Sequence, residues 1–262
     1  MFIDTHAHLT FDEYKEDLDR VVEKMLSFGV KKVINNGYDI ESSKQAVELA
    51  NKYDCMYAAL GLHPYDAEEV SDDLMKEWEN LIKENKKIVA IGETGLDYYK
   101  AEVSKEKQQE SFRKHLELAK RTGLPVVVHN RKANEDCVRI IDEVFGDSLS
   151  VDIVFHCFGS DRDFATKLWN KGIFTSFTGI ITFRNAEEMR DMILRVPDEL
   201  FFLETDCPYL SPEGHRSKRN EPAFLVDIAH TIAEVKRISI EDVEKLTTNN
   251  ALRFFKRMAK SE

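Results

Sequence analysis

Apolar residues along the chain follow two alternating rhythms. Short runs rich in Val, Ile, Phe and Leu alternate with longer charged stretches, in which apolar residues return every three or four positions. The short runs predict strands at FIDTH (2–6), KKVINN (31–36), MYAAL (56–60), KIVAIGE (87–93), PVVVHN (125–130), DIVFHC (152–157), IFTSFT (173–178) and LFFLETD (200–206). The longer stretches predict helices. In 105–122, Phe112, Leu116 and Ala119 recur at i, i+4, i+7, with Leu118 alongside. In 240–258, Val243, Leu246, Leu252, Phe255 and Met258 do much the same, and Ser239, with Asp242 three residues on, is a candidate N-cap.

Strands bounded on both sides by helices read as buried parallel strands. Eight such units in 262 residues predict an α/β fold, a single-domain (β/α)8 TIM barrel spanning 1–262. An open doubly wound sheet is the structural runner-up. One long connection stands out, CPYLSPEGHRSKRNEP (207–222), after the last strand; its Pro and Gly content marks a loop.

Composition narrows the picture. Hydrophobic residues at 42% and charged residues at 32% suit a soluble protein, and no apolar stretch approaches the length of a membrane span. The N-terminal residues lack the basic and apolar regions of a secretion signal. Cys55, Cys137, Cys157 and Cys207 form no C-x-x-C pair, so reduced thiols and a cytoplasmic location are expected. A net charge of −11 argues against nucleic-acid binding through a general basic surface, but is compatible with phosphates held by metal ions and a local basic patch. Nothing points to an obligatory protein partner.

The ends of the predicted strands carry the chemistry. His6 ends the first strand, with His8 just beyond; Glu93, His129, His156 and Asp206 lie at or near the ends of the fourth, fifth, sixth and eighth. In a barrel those ends share one face, where active sites sit. His6 and His8 are two apart and point the same way on an extended strand. Any one of these residues alone is more simply a hydrogen-bonded core group. Together, six ligand-type side chains at matching strand ends are costly to bury without a cation. Four imidazoles and two carboxylates exceed one tetrahedral site and suit two divalent ions that activate a water. Imidazole-rich ligation suggests Zn²⁺, Mn²⁺ or a similar ion over Mg²⁺. Asp4 and Glu204, each two before a ligand, are expected to support the site, whereas His115 and His230, in predicted helices, are expected to be surface or packing residues.

The motifs FIDTHAHL, GETGLDYY, PVVVHNR, VFHCF, LETDCPYL and HRSKRNEP, in that order from residue 2 to about 255, resemble the TatD family of metal-dependent deoxyribonucleases, within the amidohydrolase-like hydrolases. The resemblance implies that His6, His8 and Asp206 hold one metal, that His129 and His156 hold the other, and that Glu93 bridges them. It also implies that Asp206 accepts a proton from the attacking water. Two departures leave the ligands intact: HCFGS stands where the family usually reads His-Cys-Phe-Ser-Gly, and Cys207 where it commonly has Ser. Neighbours on a strand point oppositely, so Cys207 is not expected to be a ligand.

Phosphate donors are expected from His63 in GLHP, from Arg131, and from His215, Arg216, Lys218 and Arg219 in the 207–222 loop. Tyr98, Tyr99 and Tyr209 can stack on a base, although packing is the simpler role. The implied activity is hydrolysis of DNA phosphodiester bonds, of the 3′–5′ exonuclease type. Ester or amide hydrolysis, such as D-aminoacyl-tRNA deacylation, is the alternative, and a non-catalytic binding protein on a decayed barrel is the remote one.

Overall fold

The computed structural model describes residues 1–146 and 148–260. Its strands are β1 (Phe2–Ala7), β2 (Val30–Asn36), β3 (Met56–Leu60), β4 (Ile88–Asp97), β5 (Val126–Arg131), β6 (Ile153–Phe155), β7 (Phe174–Phe177) and β8 (Phe201–Leu203). The helices are α1 (Leu18–Ser27), α2 (Ile40–Lys52), α3 (Asp72–Glu84), α4 (Lys105–Thr122), α5 (Asn134–Phe145), α6 (Arg162–Asn170), α7 (Glu187–Arg195), α8 (Leu225–Lys236) and α9 (Ile240–Phe254). The strands form one eight-stranded sheet in chain order. β8 leads back to β1: Ala7 bridges Cys207 in parallel, and the His8 N–H donates to the Cys207 carbonyl at 2.8 Å. This is the (β/α)8 barrel that the strand–helix alternation predicts. None of the helices among the described residues is long and apolar enough to cross a membrane.

Helix starts follow local chemistry. Asp39 accepts from the Ser42 N–H at 2.6 Å in a capping box ahead of α2. Ser104 caps α4, and Gly123 ends it in the left-handed conformation at φ +70°. Ser239 Oγ accepts from the Asp242 N–H at 3.1 Å, as the sequence suggests for α9.

Contacts group the chain into two units. One comprises Met1–Asn35 and Cys157–Arg253, the other Asn36–His156 and Phe254–Glu262. In the first, β1 pairs β2 (Phe2 with Val30, Asp4 with Val33), β7 pairs β8 (Ser176 with Phe202), and Tyr14, Met25, Phe177 and Phe201 are buried. In the second, β4 pairs β3 and β5, β5 pairs β6, and Met56, Trp78, Phe112 and Phe155 are buried. Strands buried on both faces explain the unbroken apolar runs of the sequence.

Strand ends differ from the sequence reading where the chain turns. β4 runs on through Gly-Leu-Asp to Asp97, so Glu93 lies inside it. β6 stops at Phe155, and Cys157 takes φ +44°. β8 stops at Leu203, and Asp206 takes φ +55°. The helix expected over 240–258 ends at Phe254, with a short 3-10 turn at Met258–Lys260.

Candidate metal centre

In the first unit, the His6 and His8 rings bring their Nε2 atoms to 3.1 Å from each other. Asp206 Oδ1 lies 3.7 Å from His6 Nε2 and 3.4 Å from His8 Nε2. Two neutral imidazoles can face nitrogen to nitrogen with only one proton between them, and a carboxylate beside them adds negative charge. Two nitrogen donors and an oxygen converging in this way are a donor set that fits a divalent cation. The backbone builds this set. Asp206 adopts a left-handed conformation unusual for a non-glycine residue, and its N–H donates to the His6 carbonyl at 2.8 Å. The preceding Thr205 is held by Asp4, which accepts from its N–H at 2.9 Å and its hydroxyl at 2.6 Å. Asp4 also accepts from the His6 N–H at 3.3 Å. Burial pushes the Asp4 carboxyl up to about 7 despite these donors. The Asn220 amide donates to the Thr205 carbonyl at 2.9 Å, which joins the far end of the 207–222 loop to the same residue.

In the second unit, the buried Glu93 is the hub. Its Oε1 lies 2.8 Å from His129 Nδ1, 2.8 Å from His156 Nε2 and 3.7 Å from His63 Nε2. His63 Nε2 also lies 3.3 Å from His129 Nδ1, so His63, Glu93 and His129 form a further group able to hold a metal. Local sequence makes this approach possible. Gly95, at φ +142°, pairs with His129, and a Cβ there would overlap the His129 carbonyl oxygen. The Glu93 N–H donates to the Gly37 carbonyl at 2.8 Å. Burial pulls the His129 pKa down, but its contacts with Asp97 and Glu93 outweigh that and leave it raised.

Glu204 is also buried. It accepts from the Cys157 N–H at 2.5 Å and from Ser176 Oγ at 2.7 Å, which fixes the left-handed turn just after His156. Burial pushes the Cys207 thiol up to about 12, so it stays protonated.

Two residues are informative beyond the sequence reading. His115 is completely buried. Its Nε2 accepts from the Leu62 N–H at 3.1 Å and its Nδ1 donates to the Ser111 carbonyl at 2.7 Å, which holds the backbone just before His63. Desolvation pulls its pKa down to about 4, so the imidazole is neutral. Asp97, past the end that the sequence predicts for the fourth strand, is fully buried and places Oδ2 3.3 Å from His129 Nε2. Burial raises its pKa, but the His129 contact and the Lys100 and Tyr99 N–H groups prevail and hold it well below the carboxylate range. A signal was present: Glu93, Gly95 and Asp97 share one parity, so a strand continued through GLD turns both acids the same way.

His215, Arg216 and Arg219 of the 207–222 loop have partners of their own. Arg219 makes a two-pronged pair with Asp17 at 2.8 Å to each oxygen, reaches Glu221 at 3.1 Å and covers the Tyr14 ring. His215 stacks on Phe224 with centroids 3.7 Å apart and lies 3.2 Å from Asp227. Arg216 sits over Phe183 and 3.4 Å from Glu213. His215, Lys218 and Arg219 line a cavity of 630 Å³ together with Lys24, Phe28 and His230. Of the tyrosines, Tyr98 donates to Asp136 at 2.8 Å, Tyr209 is exposed beside Phe11, and Tyr99 is exposed beneath the Arg131 guanidinium at 4.3 Å.

A parallel barrel with histidine and carboxylate groups of this kind at its carboxyl strand ends defines a metal-dependent hydrolase. The chain belongs to the TatD family: residues 3–256 match the family described as TatD related DNase. It is 37% identical over 256 residues to the uncharacterized metal-dependent hydrolase YabD of Bacillus subtilis, covering 98% of this chain and 99% of that protein. It is 36% identical over 257 residues to the uncharacterized metal-dependent hydrolase YcfH of Escherichia coli K12, covering 97% and 95% of the two chains. The crystal structure of YjjV, a TatD homologue from E. coli, superposes with a TM-score of 0.90 at 30% identity, over 97% of this chain and 98% of that one.

Proposed function

We propose that the protein cleaves DNA phosphodiester bonds, from the 3′ end, using two divalent ions. His6, His8 and Asp206 would hold one ion, His129 and His156 the other, and Glu93 would serve both. The observation that carries this reading is the pair of donor sets, with imidazole nitrogens 3.4–3.7 Å from a carboxylate oxygen in the first and 2.8 Å in the second. The family description, TatD related DNase, supports DNA as the substrate. When bound, the ions polarise a nonbridging phosphate oxygen and lower the pKa of a water. Asp206, fixed by its backbone beside His6 and His8, would accept a proton from the attacking water. Arg131 is exposed two residues past His129 and stacks on Tyr99, an arrangement suited to a phosphate with a base beside it. The imidazole-rich donors favour Zn²⁺ or Mn²⁺.

The test is digestion of end-labelled single- and double-stranded DNA by metal-stripped and metal-restored protein, with D-aminoacyl-tRNA assayed in parallel. Stripping is expected to abolish DNA turnover, and Zn²⁺ or Mn²⁺ to restore it. Asp206→Asn is expected to lower kcat by about 10²- to 10⁴-fold with the melting temperature preserved. Full activity of the stripped protein would overturn the metal reading. Turnover of the tRNA ester but not of DNA would move the same site to acyl chemistry.

A further inference from the structure

The two ring nitrogens of His129 face different groups. Nδ1 lies 2.8 Å from Glu93 Oε1 and 3.3 Å from His63 Nε2, so it looks into the donor cluster. Nε2 looks the other way, 3.3 Å from Asp97 Oδ2. The Asp97 carboxylate is itself firmly placed. Oδ1 accepts from the Tyr99 and Lys100 N–H groups, each at 2.8 Å, Oδ2 accepts from the Tyr65 hydroxyl at 3.3 Å, and the Asp97 N–H donates to Gln108 Oε1 at 2.9 Å. An imidazole presents a lone pair at one nitrogen only when its proton sits on the other. A carboxylate accepts and never donates while ionised.

We infer that Asp97 is a positioning residue that fixes the proton of His129 on Nε2 and so presents the Nδ1 lone pair to a divalent cation. The inference rests on the metal-dependent reading of this site. Carboxylates that hold a ligating imidazole in this manner orient the ring and raise its basicity. The geometry also predicts what a near-isosteric change does. In Asp97→Asn, the retained oxygen keeps the two backbone donors at Tyr99 and Lys100, so the amide nitrogen falls where Oδ2 was. That nitrogen donates to His129 Nε2, drives the ring proton onto Nδ1 and blocks the ligating atom. A substitution that changes one atom in place thus acts on the tautomer more than on the fold.

The experiment titrates Zn²⁺ into the full-length protein against a chromogenic chelator, for the wild type, Asp97→Asn, Gln108→Ala and His129→Ala, with thermal melting of each. Asp97→Asn is expected to weaken the site that His129→Ala abolishes by about 10- to 100-fold, while its melting temperature stays near the wild-type value. Gln108→Ala loosens the same strand end without altering the tautomer, and its Zn²⁺ affinity is expected to stay within threefold or so of wild type. Unchanged Zn²⁺ affinity in Asp97→Asn, with binding intact in the wild type, would overturn the inference and leave the metal reading standing. An equal loss in Gln108→Ala would also overturn it, because strand-end rigidity alone would then explain the effect. A wild type that binds no Zn²⁺, Mn²⁺ or Co²⁺ would remove the metal reading and the inference together.

Discussion

The strand ends and the 207–222 loop use the same side-chain chemistry to opposite effect. On the strands and just past them, His6, His8, His129 and His156 turn a ring nitrogen toward one another or toward the carboxylates of Asp206 and Glu93 at 2.8–3.7 Å, an arrangement that asks for a cation. In the loop, each of His215, Arg216 and Arg219 has an acid and an aromatic ring of its own. The difference lies in the backbone. A strand end is pinned on both sides by its neighbours, so its side chains cannot seek other partners. A loop side chain is free during folding to settle on whatever charge it meets. Residue type marks chemistry where the frame is rigid, and marks much less where it is not.

Three perturbations sharpen that contrast. The largest concerns His115, which supports the backbone ahead of His63. Its folded pKa of about 4 lies below the ordinary 6.5, so between these values the unfolded chain binds more protons. Stability therefore falls as pH drops from about 6.5 through 4, by up to about 3 kcal/mol at the acid end. Urea midpoints at pH 7 and pH 4.5 should differ less in His115→Gln than in the wild type; an identical difference would remove His115 from the frame. Next is Gly95→Ala, which forces a Cβ against the His129 carbonyl in a conformation that L-residues avoid. A loss of about 1–3 kcal/mol is expected in denaturant unfolding, together with weaker Zn²⁺ binding, since the strain falls on the backbone of His129. Smallest are the loop changes. Arg219→Ala is expected to cost about 1 kcal/mol of stability through its pair with Asp17, and to leave KM for DNA unchanged. A large rise in KM with unchanged stability would return the loop to the substrate and break the comparison.

The same contrast explains what could be read in advance. The barrel was legible because buried parallel strands leave unbroken apolar runs, and α4 because Phe112, Leu116 and Ala119 return on one helical face. The elements that bring His6 to His8 and His129 to Glu93 were legible for the same reason. The turns at Cys157 and Asp206 were not, because a left-handed non-glycine residue leaves no mark in composition; it is imposed by tertiary hydrogen bonds from the Cys157 N–H to Glu204 and from the Asp206 N–H to the His6 carbonyl. Asp97 was hidden by ending β4 at Glu93, four residues early. His115 reads as an ordinary helical histidine until the Leu62 N–H that it accepts comes from another element. The loop partners Asp17, Asp227 and Glu213 were beyond reach, since nothing in spacing says which acid a mobile arginine or histidine will find.

The bridge between Ala7 and Cys207 has a consequence for biosynthesis. His6 and His8 are translated long before Asp206, the carboxylate that completes their set. A nascent or prematurely terminated polypeptide therefore carries His6 and His8 without Asp206. This set is complete only in a chain that extends past β8 and pairs there with β1.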